Sequence, residues 1–401
     1  MLFICVVNAY GQWTATTQPN LSTNGDLKSL FFINENIGFV GGSLNQTEAK
    51  LNKTIDGGLT WTWISYQFTN CTSINSIFFV DVNNGFVTTN NQNISFKTTD
   101  GGISWTQVFC QTAHPGKVYF KNSMIGFFYS DISALQNFSY TTNGGLVWTL
   151  YNLPFGKITS INFPNTTSSI GYMMLITGHI YKTTNNGLNW NLINNGAGFT
   201  NYSSLYFINE LIGFRVSSVV IERTTDGGLN WQIIYQINGK KILFTASTIA
   251  YLSGFNNSQN SNEIFRADYQ NSASSPLQFT QMSGTNSPLF NSAYLIDFQF
   301  PTINVGYALS TNKNLYKLNT TLGIDKNYVP KLLIYPNPTK DILNIENLNV
   351  ENKKYSVFDL NGRLVTKGII ENLKINVSEL SKGIYIIKIA ENLKEIKFKK
   401  E

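Results

Sequence analysis

Among the acids and histidines of the first 322 residues, three side chains expected on loops are candidates for acid–base or metal chemistry. His114 lies in the segment QTAHPG, His179 in ITGHIY, and Asp131 between them in the chain. Two imidazoles and a carboxylate are zinc ligand types, but these three come from separate segments without metal-motif spacing. The sequence therefore predicts no metal site and no cofactor, and it keeps the three residues as candidate ligand contacts.

Glycoside hydrolysis requires two carboxyl groups about 5–10 Å apart across a cleft. Most other acids in this part of the chain recur at turn positions, as Glu35, Asp81 and Glu210 do. Asp131 is the acid that a hydrolase would use, and no second acid stands out beside it. No catalytic residue is predicted.

Arg215 departs from an otherwise apolar position. The residues at its repeat positions are Val40, Val87, Phe128, Met173 and Ala308. A charge placed there is buried and needs a partner. Arg215 is therefore either a ligand anchor or one half of a structural ion pair with a nearby Glu.

Of three cysteines, Cys5 lies in the apolar start of the chain. Cys71 and Cys110 are expected on connectors at adjacent boundaries between the repeat units described below. In an oxidising compartment such a pair is a candidate disulfide. Two free thiols are the alternative.

The elements that position these residues follow from an internal repeat. Five segments share one pattern at starts spaced 44, 43, 42 and 41 residues apart. They are TIDGGLTW (54–61), TTDGGISW (98–105), TTNGGLVW (141–148), TTNNGLNW (183–190) and TTDGGLNW (224–231). A period near 40 residues is typical of four-stranded propeller blades.

The residue types of these segments, called box turns here, predict a tight turn between strands. Asp or Asn caps backbone N–H groups, Gly supplies an unusual φ, and Trp opens the next strand. The capping residues are Asp56, Asp100, Asn143, Asn185 and Asp226, and the tryptophans are Trp61, Trp105, Trp148, Trp190 and Trp231. The pattern resembles the Asp box of sialidases, sortilin-type receptors, xyloglucanase-like hydrolases and photosystem assembly factors, which implies structural aspartates.

A second motif, Phe followed by a Gly-aromatic pair, recurs six times, and Phe244 with Ala250-Tyr251 is a seventh, degraded copy. The seven units predict an all-β, seven-bladed propeller over residues 12–318. The seventh unit lacks its fourth strand, while GQWTATTQ (11–18) matches the strands that follow the box turns. Trp13 is therefore expected to close the ring, which removes the open sheet edge.

Residues 319–329 are expected to be a linker, because charged residues become dense beyond it, and residues 330–401 alternate apolar side chains between Asn-Gly and Lys-Gly turns. This pattern favours a small Ig-like β-sandwich. Its motif residues are Pro336, Asn337, Pro338, Asp359, Asn361, Gly362, Arg363, Gly383 and Tyr385. The combination resembles the type A C-terminal sorting domain of the type IX secretion system, which implies export through the secretion machinery to the medium or outer-membrane surface.

Residues 1–11 have an apolar run and small residues at cleavage-site spacing, which predicts the end of a signal peptide. No other run is long enough for a membrane-spanning helix. The net charge of +6 is not clustered, so nucleic-acid binding is not expected.

The sequence favours a secreted, non-catalytic binding propeller. Sialidases bind the carboxylate of their substrate with three arginines. The first 322 residues contain three arginines, but two of them, Arg223 and Arg266, occupy a repeat position, which argues against sialidase activity. The ligand is expected to be a glycan or a surface macromolecule, held by the candidates above and by aromatic loop residues. These are Tyr66, Tyr129, Phe199 and Tyr202. A glycoside hydrolase of the Asp-box type is the alternative.

Overall fold

The computed structural model describes most of the chain. The described residues are 13–17, 25–66, 68–91, 93–112, 114–130, 137–153, 156–196, 198–246, 248–256, 261–269, 279–282, 294–319, 333–335, 338–346, 354–360, 362–371, 373–389 and 396–401. The predicted signal segment, Asp131, Pro336, Asn337 and Asn361 lie outside them. Within them every regular element is a β-strand, and none is a helix that could cross a membrane.

Each repeat unit folds into a four-stranded antiparallel sheet, a blade, because short apolar strands alternate with turns rich in Asn, Asp and Gly. Strand β1 is Trp13–Ala15. Blade 1 contains β2 (Asp26–Phe32), β3 (Gly38–Leu44), β4 (Glu48–Thr54) and β5 (Thr62–Trp63). Blade 2 contains β6 (Ile74–Phe79), β7 (Gly85–Thr89), β8 (Ile94–Thr98) and β9 (Thr106–Phe109). Blade 3 contains β10 (Pro115–Phe120), β11 (Gly126–Ser130), β12 (Asn137–Thr141) and β13 (Thr149–Asn152).

The next three blades repeat this order. Blade 4 contains β14 (Ile158–Asn162), β15 (Gly171–Leu175), β16 (His179–Thr183) and β17 (Asn191–Asn195). Blade 5 contains β18 (Ser204–Phe207), β19 (Gly213–Val216), β20 (Val220–Thr224) and β21 (Gln232–Gln236). Blade 6 contains β22 (Asn238–Ala246), β23 (Ile249–Asn256), β24 (Ser261–Asp268) and β25 (Thr280–Gln281).

Blade 7 joins the two ends of the propeller unit. It contains β26 (Leu295–Gln299), β27 (Val305–Ser310) and β28 (Leu315–Asn319), and β1 is its fourth strand. Trp13 pairs with Leu318 across this last ladder, and its ring meets Phe300 edge-on at 6.0 Å. The predicted closure by Trp13 is confirmed.

The cores lie between blades, one cluster at each boundary of the described ring. At the boundary of blades 7 and 1, for example, Tyr307 and Leu315 pack with Leu30 and Phe32. The remaining boundaries are filled in the same way by six further clusters. Burial of apolar surface thus holds each blade to both of its neighbours.

The chain divides into two compact units, Met1–Gly323 and Ile324–Glu401. The C-terminal unit contains β29 (Leu333–Tyr335), β30 (Ile342–Glu346), β31 (Lys354–Phe358), β32 (Leu364–Ile369), β33 (Lys374–Asn376), β34 (Gly383–Ile389) and β35 (Ile396–Lys400). Strands β29, β30 and β33 form one sheet, and the other four form a second in the order β32-β31-β34-β35. One core contains Leu343 and Ile375 from the first sheet and Val357, Ile387 and Phe398 from the second.

Candidate functional site

The innermost strands of all seven described blades line one central cavity of about 370 Å³. These strands are β2, β6, β10, β14, β18, β22 and β26. A cavity of this volume is near the lower end of the range of about 300–1,000 Å³ for small-molecule sites. We call it the channel.

One side chain from each blade lines the channel at the same repeat position. This channel position lies three residues before the repeat phenylalanine, which is Phe32, Phe79, Phe120, Phe163, Phe207, Phe244 or Phe300. Its occupants are Ser29, Ser76, Lys117, Ser160, Ser204, Lys241 and Asp297. In six of the seven inner strands the ladder register shifts immediately before this position. Such a bulge re-aims the side chain that follows it.

Most of these residues bind the backbone of the next blade. Ser29 Oγ accepts from Ile77 N at 3.0 Å, and Ser204 Oγ accepts from Ile242 N at 3.1 Å. Lys241 donates to Phe298 O at 2.8 Å and to Asp297 Oδ1 at 2.6 Å. The serines and Lys241 therefore tie blades together.

Lys117 differs from the other occupants. Its side chain is exposed to the channel and, among the described residues, contacts neither a carboxylate nor the backbone of blade 4. Tyr129 is its cross-strand neighbour and lines the same cavity. Lys240, the residue before the channel position of blade 6, is also exposed, and its Nζ lies 4.8 Å from the ring centroid of Tyr294. The sequence analysis missed both lysines, although aligning the seven inner strands would have revealed them.

The box turns are held by one repeated set of hydrogen bonds. In the second turn, Thr98 Oγ1 donates to Asp100 Oδ1 at 2.8 Å, and Asp100 accepts from Ser104 N and Ser104 Oγ. Equivalent bonds surround the other four capping residues: Asp56, Asn143, Asn185 and Asp226. Hydrogen bonds from Thr60 and Ser104 lower the pKa values of Asp56 and Asp100, respectively, to about 2. The carboxylates of Asp56 and Asp100 therefore stabilise the turns in which they lie.

The box-turn tryptophans and the repeat phenylalanines form one packing unit. Each Trp meets the repeat phenylalanine of its own blade nearly edge-on, at centroid distances of 6.0–6.2 Å. The Trp–Phe pairs are Trp61–Phe32, Trp105–Phe79, Trp148–Phe120, Trp190–Phe163 and Trp231–Phe207. This geometry is favourable for aromatic quadrupoles.

Arg215 is completely buried and fully engaged. It pairs with Glu222 through Nε–Oε2 at 2.8 Å and Nη2–Oε1 at 3.0 Å, and Nη1 donates to Gly178 O at 3.0 Å. Its guanidinium also lies 4.8 Å from the Tyr202 ring centroid and 4.6 Å from that of Trp231. The structure therefore supports the interpretation of Arg215 as half of a structural ion pair. The alternative expectation, that Arg215 contacts a ligand, does not fit a side chain that is completely buried.

Among the residues that the structure describes, neither histidine belongs to a cluster of metal-ligating side chains. His114 precedes β10 with a φ of +51°, and His179 Nδ1 lies 2.7 Å from Thr177 Oγ1 at the start of β16. No cluster of metal-ligating side chains occurs among the described residues. Asp131 lies outside them, so its role as a ligand contact stays a prediction.

Two of the four aromatic candidates are not exposed loop residues. Tyr129 is a strand residue that reaches the channel, and Tyr202 is buried with its hydroxyl donating to Glu222 Oε2 at 2.6 Å. Both were misplaced because the inter-blade cores extend further toward the connectors than the repeat pattern indicates. Tyr66 and Phe199 are partly buried against the cores of the first two blades and of blades 4 and 5, respectively.

The candidate disulfide is not formed. Cys71 and Cys110 are free, buried thiols on connectors at adjacent blade boundaries, and they belong to separate cores. Burial raises the pKa of each thiol to about 11. Such thiols are chemically inert at neutral pH.

In the C-terminal unit, the predicted motif residues build a turn and a core contact. Asp359 Oδ1 accepts from Arg363 N at 2.9 Å, and Gly362 has a φ of +78° in the turn between β31 and β32. Gly383 begins β34, and the hydroxyl of the buried Tyr385 donates to Ser381 O at 2.9 Å. Pro338, at the start of the described stretch before β30, is exposed.

Comparison with known proteins identifies the C-terminal unit. Residues 333–400 match the family model of the secretion system C-terminal sorting domain. The chain thus carries a type IX sorting domain, which interacts with the secretion machinery and directs export to the cell surface or outer membrane. No curated protein matches the chain.

Solved structures similar to this chain are β-propellers. YCF48 bound to D1 peptide is 17% identical with a TM-score of 0.60, over 78% of this chain and 98% of that one. PorZ, a surface component of the type IX secretion system of Porphyromonas gingivalis, is 13% identical with a TM-score of 0.52, over 97% and 61%. A GH74 enzyme of Niastella koreensis is 12% identical with a TM-score of 0.53, over 93% and 65%. At these identities the likeness shows the fold alone.

Proposed function

We propose that this chain is an extracellular, non-catalytic binding protein. The chain forms a seven-bladed propeller, and its channel receives a glycan or another surface macromolecule. The C-terminal domain, an Ig-like sandwich in this proposal, delivers the propeller to the surface. Export agrees with the sorting-domain match.

The lining of the channel carries the proposal. It offers hydroxyl, ammonium and aromatic groups, but among its described lining residues Asp297 is the one carboxylate, and that carboxylate is ion-paired with Lys241. A glycosidase needs a second carboxyl group across the cleft. A cavity lined in this way is suited to holding a ligand rather than to cleaving one.

The other described carboxylates of the propeller support the same conclusion. Those of the box turns cap their own turns, Glu222 pairs with Arg215, and Asp268 pairs with Arg266. The alternative function is a glycoside hydrolase that depends on Asp131. This alternative can be tested, because GH74 enzymes have a similar fold.

The experiment uses the purified full-length chain on a glycan array and on a panel of chromogenic glycosides. Binding without turnover is the expected result. Turnover that is abolished in the Asp131→Asn variant would establish the hydrolase instead. Absence of binding to every glycan on the array, with a surface protein captured instead, would redirect the proposal to a macromolecular partner.

A further inference from the structure

The channel has more positive charge than its own carboxylate can neutralise. Lys117, Lys240 and Lys241 line it together with Asp297, and the 2.6 Å contact of Asp297 is made with Lys241. Lys117 and Lys240 have no carboxylate partner among the described residues. Because they belong to blades 3 and 6, they reach the cavity from well-separated sides of the ring.

The environment of the two lysines favours an anion as their counter-charge. Burial lowers the pKa of Lys240, as expected for an ammonium group in partly desolvated surroundings. Burial raises the pKa of Tyr129, so its hydroxyl stays protonated beside Lys117 and can donate a hydrogen bond. An anionic group beside either lysine would receive charge-assisted hydrogen bonds.

The inner strands leave little backbone for a peptide ligand to pair with. The amides of Ile77, Val118 and Ile242 already donate to serines at the channel position of the preceding blade. Those of Phe32 and Phe207 donate to Gln299 and Asn162 in the same manner. Main-chain addition of a strand is thereby disfavoured, and recognition falls to charge, hydroxyl groups and aromatic faces.

We propose that the channel is a binding site for an anionic segment of a polysaccharide, with Lys117 and the Tyr129 hydroxyl contacting one acidic group and Lys240, across the cavity, contacting another. Phe31 and Phe78 also line the cavity and supply apolar surface for the carbon face of the sugar ring. This site deepens the proposed function and rests on it. A carboxylate and a sulfate ester share the required chemistry, and the experiment separates them.

The test measures binding to the purified full-length chain by calorimetry with three oligosaccharides of matched length: a hexuronate oligomer, a sulfated oligomer and a neutral one. The Lys117→Gln/Lys240→Gln variant removes both unpaired charges. Lys28→Gln is the matched control, because Lys28 occupies in blade 1 the strand position of Lys240 and is exposed, but does not line the channel.

We expect at least one anionic oligomer to bind, and its affinity to fall about ten-fold or more in the double variant, the loss typical of a hydrogen bond to a charged group. Lys28→Gln should change it less than about two-fold, as expected for an exposed charge outside the site. The unfolding temperature should be unchanged in all variants, because neither lysine ties blades together.

Three results would overturn the site. They are equal affinity for the neutral oligomer, unchanged affinity in the double variant, and equally tight binding of an acidic peptide that competes for the channel. If neutral glycans bind with the same affinity to the native chain and to the lysine variants, this inference is wrong but the proposed function stands. Failure of all glycans to bind would remove this inference and would redirect the proposed function to a macromolecular partner.

Discussion

At the scale of single residues, blade 5 shows how a charged pair replaces an apolar one. Arg215 and Glu222 are register partners on β19 and β20, and the same places in blade 2 hold Val87 and Phe96. The ion pair is enclosed by Tyr202 and Trp231, so neither charge reaches solvent. Its geometry satisfies the guanidinium, but desolvation of both charges offsets much of the attraction.

Removing one partner of this pair should be far more damaging than replacing both. Arg215→Ala leaves Glu222 buried without its cation and should lower the free energy of unfolding by about 3–5 kcal/mol. The double variant Arg215→Val/Glu222→Phe reproduces the blade 2 pair and should lie within about 1 kcal/mol of the native chain. Urea unfolding monitored by tryptophan fluorescence measures both. Equal losses in the two variants would contradict the argument.

The box-turn carboxylates should make the propeller sensitive to strong acid. Hydrogen bonds lower the pKa values of Asp56 and Asp100 from 3.8 to about 2. A depressed pKa contributes stability above the unfolded value and loses it as pH falls through the folded value. The loss should therefore appear between about pH 4 and pH 2.

The Asp56→Asn/Asp100→Asn variant serves as the comparison, because Asn143 and Asn185 show that the turn accepts an amide at this position. We expect its unfolding temperature to fall less steeply over that pH interval than that of the native chain. Parallel curves for the two proteins would exclude these carboxylates as the cause.

At the scale of elements, the repeated Phe, Gly and aromatic residues form one inter-blade device. The aromatic residue after the Gly position in one blade faces the repeat phenylalanine of the next, with centroid distances from 3.4 Å for Tyr307–Phe32 to 5.9 Å for Phe127–Phe163. In six of the seven blades, the ring of the repeat phenylalanine also lies directly on the Gly of its own blade. A Cβ at Gly126 would stand 2.4 Å from Phe120 Cε1.

Gly126→Ala should therefore destabilise the propeller. The methyl group forces Phe120 away from its stack with Phe86, and overpacking of this kind costs about 1–3 kcal/mol. Blade 6 provides the control, since Ala250 stands opposite Phe244 and the ring there is tilted by 36° against Phe214. Ala250→Gly should cost no more than about 1 kcal/mol. Thermal unfolding of both variants checks the order, and a neutral Gly126→Ala would refute it.

At the scale of the whole molecule, the two ends of the propeller unit are locked together, while the sorting domain is a separate compact unit. Strand β1 completes blade 7, and Gln299 exchanges two hydrogen bonds with the backbone of Phe32 across the boundary of blades 7 and 1. Within the described residues, these contacts join the first and last strands of the propeller unit.

Deletion of residues 324–401 should leave the propeller folded but not exported. In a bacterium that has a type IX secretion system, the truncated chain should accumulate in the periplasm, because the matched sorting domain is missing. Fractionation with immunoblotting locates the protein, and a cooperative thermal transition of the periplasmic fraction shows that it is folded. Surface display of the truncated chain at the full-length level would contradict this prediction.

The sequence by itself determined the repeat, the order of strands within it and the Trp13 closure, because these follow from local turn chemistry and from apolar alternation. It also determined the sorting domain, whose motif residues are contiguous in short blocks. The reason that Gly precedes each aromatic residue was not evident, since the phenylalanine ring that covers it comes from the neighbouring strand.

Only the tertiary structure decided what lies at the centre of the ring. Lys117 and Lys240 are far apart in the chain and meet one cavity because blades 3 and 6 both present their first strand to the axis. Tyr129 and Tyr202 were expected on loops. In the structure Tyr129 lies in the wall of the channel, and the ring of Tyr202 packs against the Arg215 guanidinium. Long-range closure of a ring, which no local pattern encodes, creates both environments.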